Sequence, residues 1–178
     1  TQGSVRNTGG NFDLALSGNG FFTINYTNSR GETSTRYTRD GSFLVTKEGI
    51  LVDSEGNRVQ GEGGDIQIPT DAKNVVISND GTVTADGVIV DRLKITDFAD
   101  YDYIVKVGDN MYTVVDGATE KEADATVLQG YIEMSNVNVV SEMVDMITIT
   151  RAYEANQKVI RSMDSMLERA ANQVGKLG

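Results

Sequence analysis

The chain has no cysteine, no histidine and no tryptophan, and its 178 residues contain a single proline, Pro69. Without cysteine no disulfide can form, so stability in an oxidising compartment must come from packing or assembly. Zinc sites built on thiolate or imidazole are excluded, as are catalytic triads that need histidine. No run approaches the roughly eighteen apolar residues of a membrane span, so no direct span is expected. Basic residues are scarce: 16 Lys/Arg against 26 Asp/Glu leave a net charge of −10. The imbalance sits in the first 130 residues, with eleven Lys/Arg against twenty Asp/Glu; residues 131–178 hold five against six. Phosphate-backbone binding needs clustered Lys and Arg, so no nucleic-acid partner is expected. No cleavable signal peptide is visible and the first residue is Thr1 rather than Met, so an N-terminal portion is expected to be missing.

Turns punctuate what remains. Seventeen of the 19 glycines fall in residues 1–130, and Asp-Gly pairs stand at Asp40-Gly41, Asp80-Gly81, Asp86-Gly87 and Asp116-Gly117. Asp-Gly is a strong hairpin signal because it tolerates the positive φ of type I′ turns. Short apolar or alternating runs lie between them: Phe21–Tyr26, Ser42–Thr46, Ile50–Val52, Val75–Ser78, Thr82–Ala85, Val88–Val90 and Leu93–Phe98. Two hairpins are expected: Thr82–Ala85 turning at Asp86-Gly87 into Val88–Val90, and Tyr37–Arg39 turning at Asp40-Gly41 into Ser42–Val45. The turn spacing predicts a small antiparallel sandwich or irregular barrel. Gly130–Met134 reads as a last extended segment.

The final third changes character. From Asn138 to Val174 the pattern predicts one long helix, with Asn138 as N-cap, Glu142 in the first turn and Gly175 as stop residue. Steps of three and four give Met146, Ile149, Tyr153, Asn156, Ile160, Met163, Leu167, Ala170 and Val174. This is a coiled-coil heptad with one polar intruder, Asn156. Ala152, Val159 and Met166 widen the apolar face beside the seam, which suits a bundle better than a two-stranded rope. Five of the six methionines follow residue 130, and their pliable side chains suit contacts with non-equivalent neighbours. Such a stripe needs covering, either by the chain's own body or by helices of other chains. Asn156 either fixes register and partner number, at some cost in stability, or faces solvent on a rotated seam. The expected fold class is α+β: a β-rich body over 1–130, then a helical segment over 131–178.

Signals for catalysis are weak. Gly18-Asn19-Gly20 resembles the opening of a nucleotide loop, but Thr23 stands where a third glycine belongs and no helix pattern follows. Asp53–Asn57 has alternating oxygen ligands without the spacing or terminal Glu of an EF-hand loop, and reads as a β-turn. Asp97, Asp100 and Asp102, beside Tyr101 and Tyr103, could hold calcium weakly; a solvated loop is the plainer reading. No cofactor and no metal site is expected. The competing function class is a secreted β-scaffold binding module or carbohydrate-active enzyme using the Asp97–Asp102 loops. Calcium or glycan binding by the β half would separate it from a structural subunit.

Four segments, in order, bear a family likeness: FDLALSGNGFF (Phe12–Phe22), YTRDGSF (Tyr37–Phe43), GILVDSEGNRVQG (Gly49–Gly61) and GYIEMSNVNVVSEMVDMITITRAYEANQKVIRSMDSML (Gly130–Leu167). Together they resemble the bacterial flagellar rod and hook proteins. The resemblance implies a non-enzymatic structural subunit at the flagellar basal body, exported by the flagellar type III apparatus without a cleaved signal peptide. It implies helical self-assembly with like chains and with other rod and hook subunits, and torque transmission. In that family N- and C-terminal helices pair in the inner wall of a tube and β domains form the outer layer; here the N-terminal helix is absent. SNVNVV (Ser135–Val140) and RAYEAN (Arg151–Asn156) are most similar to the distal rod type, with the proximal rod and the hook as alternatives.

Overall fold

A computed structural model describes residues 3–28, 30–108, 110–135 and 139–174; for 139, 140, 142 and 168–174 it describes backbone alone. The chain divides into two compact units, Thr1–Met134 and Ser135–Gly178. The first is built of strands: β1 Val5–Asn7, β2 Leu14–Gly18, β3 Phe21–Thr27, β4 Thr33–Thr38, β5 Leu44–Val45, β6 Leu51–Val52, β7 Arg58–Gly61, β8 Gly64–Asp65 and β9 Val75–Ile77. It continues with β10 Thr82–Ala85, β11 Val88–Arg92, β12 Ile95–Phe98, β13 Ile104–Val107, β14 Met111–Val114, β15 Glu120–Glu122, β16 Ala125–Gln129 and β17 Tyr131–Glu133. The second unit holds α1, Val139–Val174. Strands in antiparallel sheets followed by one long helix give the α+β class that the sequence predicts.

Sheet order follows from alternation and turns. The largest sheet runs β13-β14-β4-β3-β7-β6-β5, with β12 joined to β3, β15 to β12 and β8 to β7. Along β9 and β10 burial alternates: Val75, Ile77, Val83 and Ala85 face inward while Val76 faces out, the two-residue period of a half-buried sheet. In β2, by contrast, Leu14, Ala15 and Leu16 are all fully buried, because this strand pairs with β16 and is covered on both faces. Leu14 and Leu16 join Phe22, Ile24, Phe43, Leu51, Val59, Ile66 and Val127 in one core. Phe22 and Phe43 meet edge to face at 5.1 Å.

One expected hairpin is present and the other is not. β10 and β11 close through Asp86 (φ 49°) and Gly87 (φ 86°), both in the left-handed region that a type I′ turn requires. The Asp86 carboxylate also accepts the amides of Lys73 and Asn74. Asp40-Gly41, however, joins strands that do not pair: β4 lies between β3 and β14, and β5 pairs with β6. The glycine serves close approach. A Cβ on Gly41 would collide with the Leu14 carbonyl, and the Leu14 amide donates to the Gly41 carbonyl at 2.9 Å. Asp40 closes the bend by accepting the Ser42 amide, and Ser42 bridges to Asp13.

The acidic cluster is likewise corrected. Asp97 is 1% exposed and does not belong to a solvated loop. Its carboxylate accepts Tyr101 OH at 2.6 Å and the Phe98 amide at 2.8 Å, and pairs with Lys121 Nζ at 3.0 Å across the β12–β15 ladder. Burial alone raises a carboxyl pKa, but here the donors win: Tyr101, Lys121 and the Phe98 amide hold Asp97 below the ordinary carboxylate range. Tyr101 is pushed up to about 12, by burial first and then by its bond to Asp97, so it stays a proton donor. Asp100 caps the short 3-10 turn Tyr101–Tyr103 through the Asp102 amide. The cluster anchors an edge of the sheet.

Two predictions follow from this packing. Leu51→Ala removes a fully buried side chain and is expected to cost about 2–5 kcal/mol in urea unfolding. The control Leu44→Ala, at a 60% exposed position, is expected to stay within about 0.5 kcal/mol of the parent. Because the folded pKa of Asp97 lies below its unfolded value, its stabilisation is present above about pH 4 and is lost as pH falls through the folded value. Asp97→Asn is therefore expected to destabilise by about 2 kcal/mol at pH 7, with the gap to the parent closing as the pH drops below about 4. Urea midpoints measured against pH check both the loss and its direction.

Candidate assembly surface

The helix α1 runs 36 residues without a proline or glycine. At about 1.5 Å per residue it is roughly 54 Å long. Its composition alternates strong helix formers (Ala, Leu, Met, Glu, Lys, Arg, Gln) with β-branched residues, which propensity alone disfavours. Thr148 and Thr150 turn their hydroxyls back onto the carbonyls of Val144 and Met146 at 2.9 and 2.8 Å, satisfying those groups inside the helix. The expected N-cap Asn138 and stop residue Gly175 lie outside the described residues.

The helix geometry aligns the predicted seam positions along one stripe. Met146, Ile149, Tyr153, Ile160, Met163 and Leu167 are all exposed, between 58% and 69%, as are Asn156, Ala152, Val159 and Met166. Ala170 and Val174 continue the stripe by backbone position; their side chains lie outside the described residues. Gln157 Nε2 reaches Tyr153 OH at 3.4 Å, one turn along. A contiguous row of exposed large apolar side chains is a surface made to be covered.

Sequence periodicity misses part of that surface. Met143, Val144 and Ile147 fall outside the heptad seam, yet each is more than half exposed. With Met146 and Ile149 they make the first turns apolar over most of their circumference, the mark of a helix enclosed on several sides rather than along one stripe. The signal was the density of apolar residues between Val139 and Ile149, which a search for a 3.5-residue period discards.

The β unit offers little reactive chemistry by comparison. Among the described residues no group of three or more acidic side chains is placed to hold a metal ion. A shallow recess bounded by Asn25, Thr33, Ser34, Thr35 and Gln60 presents only amides and hydroxyls. Tyr37 is raised above its ordinary pKa by burial and by its 2.6 Å bond to Glu120, which keeps it protonated and structural. Gly18-Asn19-Gly20 is the turn between β2 and β3. Asp53 closes the turn between β6 and β7, accepting the Glu55 and Asn57 amides at 2.9 Å each. Among the described residues no helix is long and apolar enough to cross a membrane.

Comparison with known proteins finds matches in both parts of the chain. Residues 15–85 match the family model of the flagellar hook protein FlgE/F/G D1 domain, and residues 128–174 match that of the flagellar basal body rod FlgEFG protein C-terminal region. Flagellar basal-body rod protein FlgF of Caulobacter vibrioides is 39% identical over 181 residues, covering 100% of this chain and 70% of that protein. FlgG of the same organism is 36% identical over 180 residues, covering 94% of this chain and 66% of that protein. FlgG of Bacillus subtilis is 34% identical over 183 residues, 95% of this chain and 67% of that protein. With matches spanning both the strand unit and the helix, the chain belongs to the flagellar basal-body rod and hook protein family and is a structural rod protein, not an enzyme.

Proposed function

We propose that the chain self-assembles, with like chains and with other rod and hook subunits, into a helical tube that transmits torque, and that α1 supplies the grip. The observation carrying this reading is the exposed apolar row Met146, Ile149, Tyr153, Ile160, Met163 and Leu167 on a helix about 54 Å long. Burying one such side chain stabilises an assembly by about 1.5–3 kcal/mol, so a handful outweigh the entropy of ordering a subunit. Ala152, Val159 and Met166 flank the seam and give it the width of a bundle, and Asn156 sets register within it. Ala170 and Val174 extend the seam to the end of the helix. We assign residues 1–130 to the outer β layer of the tube and α1, within residues 131–178, to its inner helical layer.

Export through the flagellar type III apparatus without a cleaved signal peptide is part of the same reading, and it rests on the family alone. Within the rod we assign the chain to the distal segment, on SNVNVV and RAYEAN. The proximal rod and the hook are the alternative positions within the same family.

Two outcomes test the proposal. Ile160→Asp or Leu167→Asp in the full-length protein is expected to abolish rod assembly and motility while the β unit keeps its circular dichroism and melting temperature. Filament-bearing, motile cells would remove the seam assignment. Expression in strains lacking one rod protein or the other is expected to restore swimming to the distal-rod mutant; rescue of the proximal mutant alone would reverse the assignment.

A further inference from the structure

Where the strand unit passes its chain toward the helix, one guanidinium ties together three distant segments. Arg39 follows β4. Its Nη1 donates to the Gly18 carbonyl at 2.9 Å and to the Gly20 carbonyl at 2.7 Å, and its Nη2 reaches the Leu16 carbonyl at 3.4 Å. Its Nε donates to Glu133 Oε2 at 3.0 Å, and Nη2 lies 2.9 Å from the same oxygen. The other carboxylate oxygen of Glu133 accepts the Gly3 amide at 2.9 Å, and the next residue, Met134, donates its amide to the Ser4 carbonyl at 2.8 Å. Both side chains are largely buried, at 21% and 14% exposure, so the pair is screened far less than a surface ion pair. Arg39 comes from the YTRDGSF segment, its carbonyl partners from FDLALSGNGFF, and Glu133 from the segment that opens GYIEM.

The location gives the pair a mechanical meaning. β17 ends at Glu133 and its ladder with β1 is three residues long: Val5↔Glu133, Arg6↔Ile132 and Asn7↔Tyr131. All three β1 side chains are exposed. An isolated two-stranded ribbon of this length is marginal in water. A pull applied along the chain at Met134 arrives first at the Glu133 end of this ladder and would open its bonds one after another. The Arg39–Glu133 pair fastens that end to the β2–β3 turn, and through it to β2 and β3 in the buried core. Lysine could supply the charge, but it has no planar fork to hold turn carbonyls and a carboxylate together.

We propose that Arg39 is the positioning residue that carries tensile load between the helical segment and the β unit, with Glu133 as its counterpart on the load-bearing strand. This deepens the torque-transmission reading and rests on it for its biological meaning; the mechanical property belongs to the chain itself. Because the chain has no native cysteine, attachment points can be placed at will. The 178-residue chain is held at Glu55→Cys and Gln157→Cys, and the force is applied across Met134. A second version is held at Glu55→Cys and Val115→Cys, both within the β unit.

Across Met134, Arg39→Lys and Glu133→Gln are each expected to raise the rate of the first opening event of the strand unit, scored after the helix has uncoiled, at least tenfold at a fixed force. Between the two β-unit points neither variant is expected to change the opening rate by more than about twofold. Equal rates across Met134 in parent and variants would overturn the proposal. So would equal acceleration along both axes, or variants that fail to fold where Arg39→Gln and Glu133→Asp fail too, since either makes the pair a general folding contact. Failure of the rod reading is recorded separately, by assembly of the Ile160→Asp protein, and would leave the force measurement unaffected.

Discussion

An apolar row on an exposed helix is the constraint that organises this molecule. Water disfavours the exposed apolar side chains Met146, Ile149, Tyr153, Ile160, Met163 and Leu167, and an isolated helix gains too little from its own hydrogen bonds to offset that. The strand unit differs: Leu14, Phe22, Leu51, Ile66 and Val127 pack into a core of its own, while Leu44, Val88 and Ile89 stay exposed. The two units therefore differ in kind. One holds a core of its own, and the other presents an apolar row that, in the assembly proposed above, helices of other chains cover.

The charged groups support mechanics rather than chemistry. Asp97 is buried and saturated by three donors, Asp53 and Asp86 close turns, and Glu133 joins Arg39 at the mouth of the helical segment. A carboxylate committed to permanent partners is poorly placed for proton transfer, and among the described residues no group of three or more acidic side chains is placed to hold a metal ion. The methionines on α1 fit the same account, since a helix in the proposed tube would meet several neighbours of unequal shape.

Legibility in the sequence followed the range of the interactions. The helix was visible because its apolar period is local, and the structure begins it at Val139, one residue after the expected cap. The Asp86-Gly87 hairpin was visible because its two residues need positive φ and the sequence supplied them. Asp40-Gly41 misled because glycine has two uses. At Gly41 the missing Cβ admits the Leu14 backbone from a distant strand, which no local rule detects. β2 was missed because Leu14, Ala15 and Leu16 are buried on both faces and show no alternation. The burial of Asp97 depends on Lys121 across a ladder, and the Arg39 contacts join residues up to 94 apart in sequence. The family likeness had marked the segments that Arg39 connects without revealing the connection.

The central claim, that α1 exists to be gripped by neighbouring helices, is tested most directly by a cysteine-accessibility scan in assembled rods. Single cysteines at Ile149, Ile160 and Met163 on the seam, and at Ser78 in the β unit, would be exposed to a hydrophilic maleimide. In the unassembled chain the three seam positions are predicted to label freely, and in rods to be protected by at least tenfold. Seam cysteines that label at the same rate in rods as in the free chain would contradict the account.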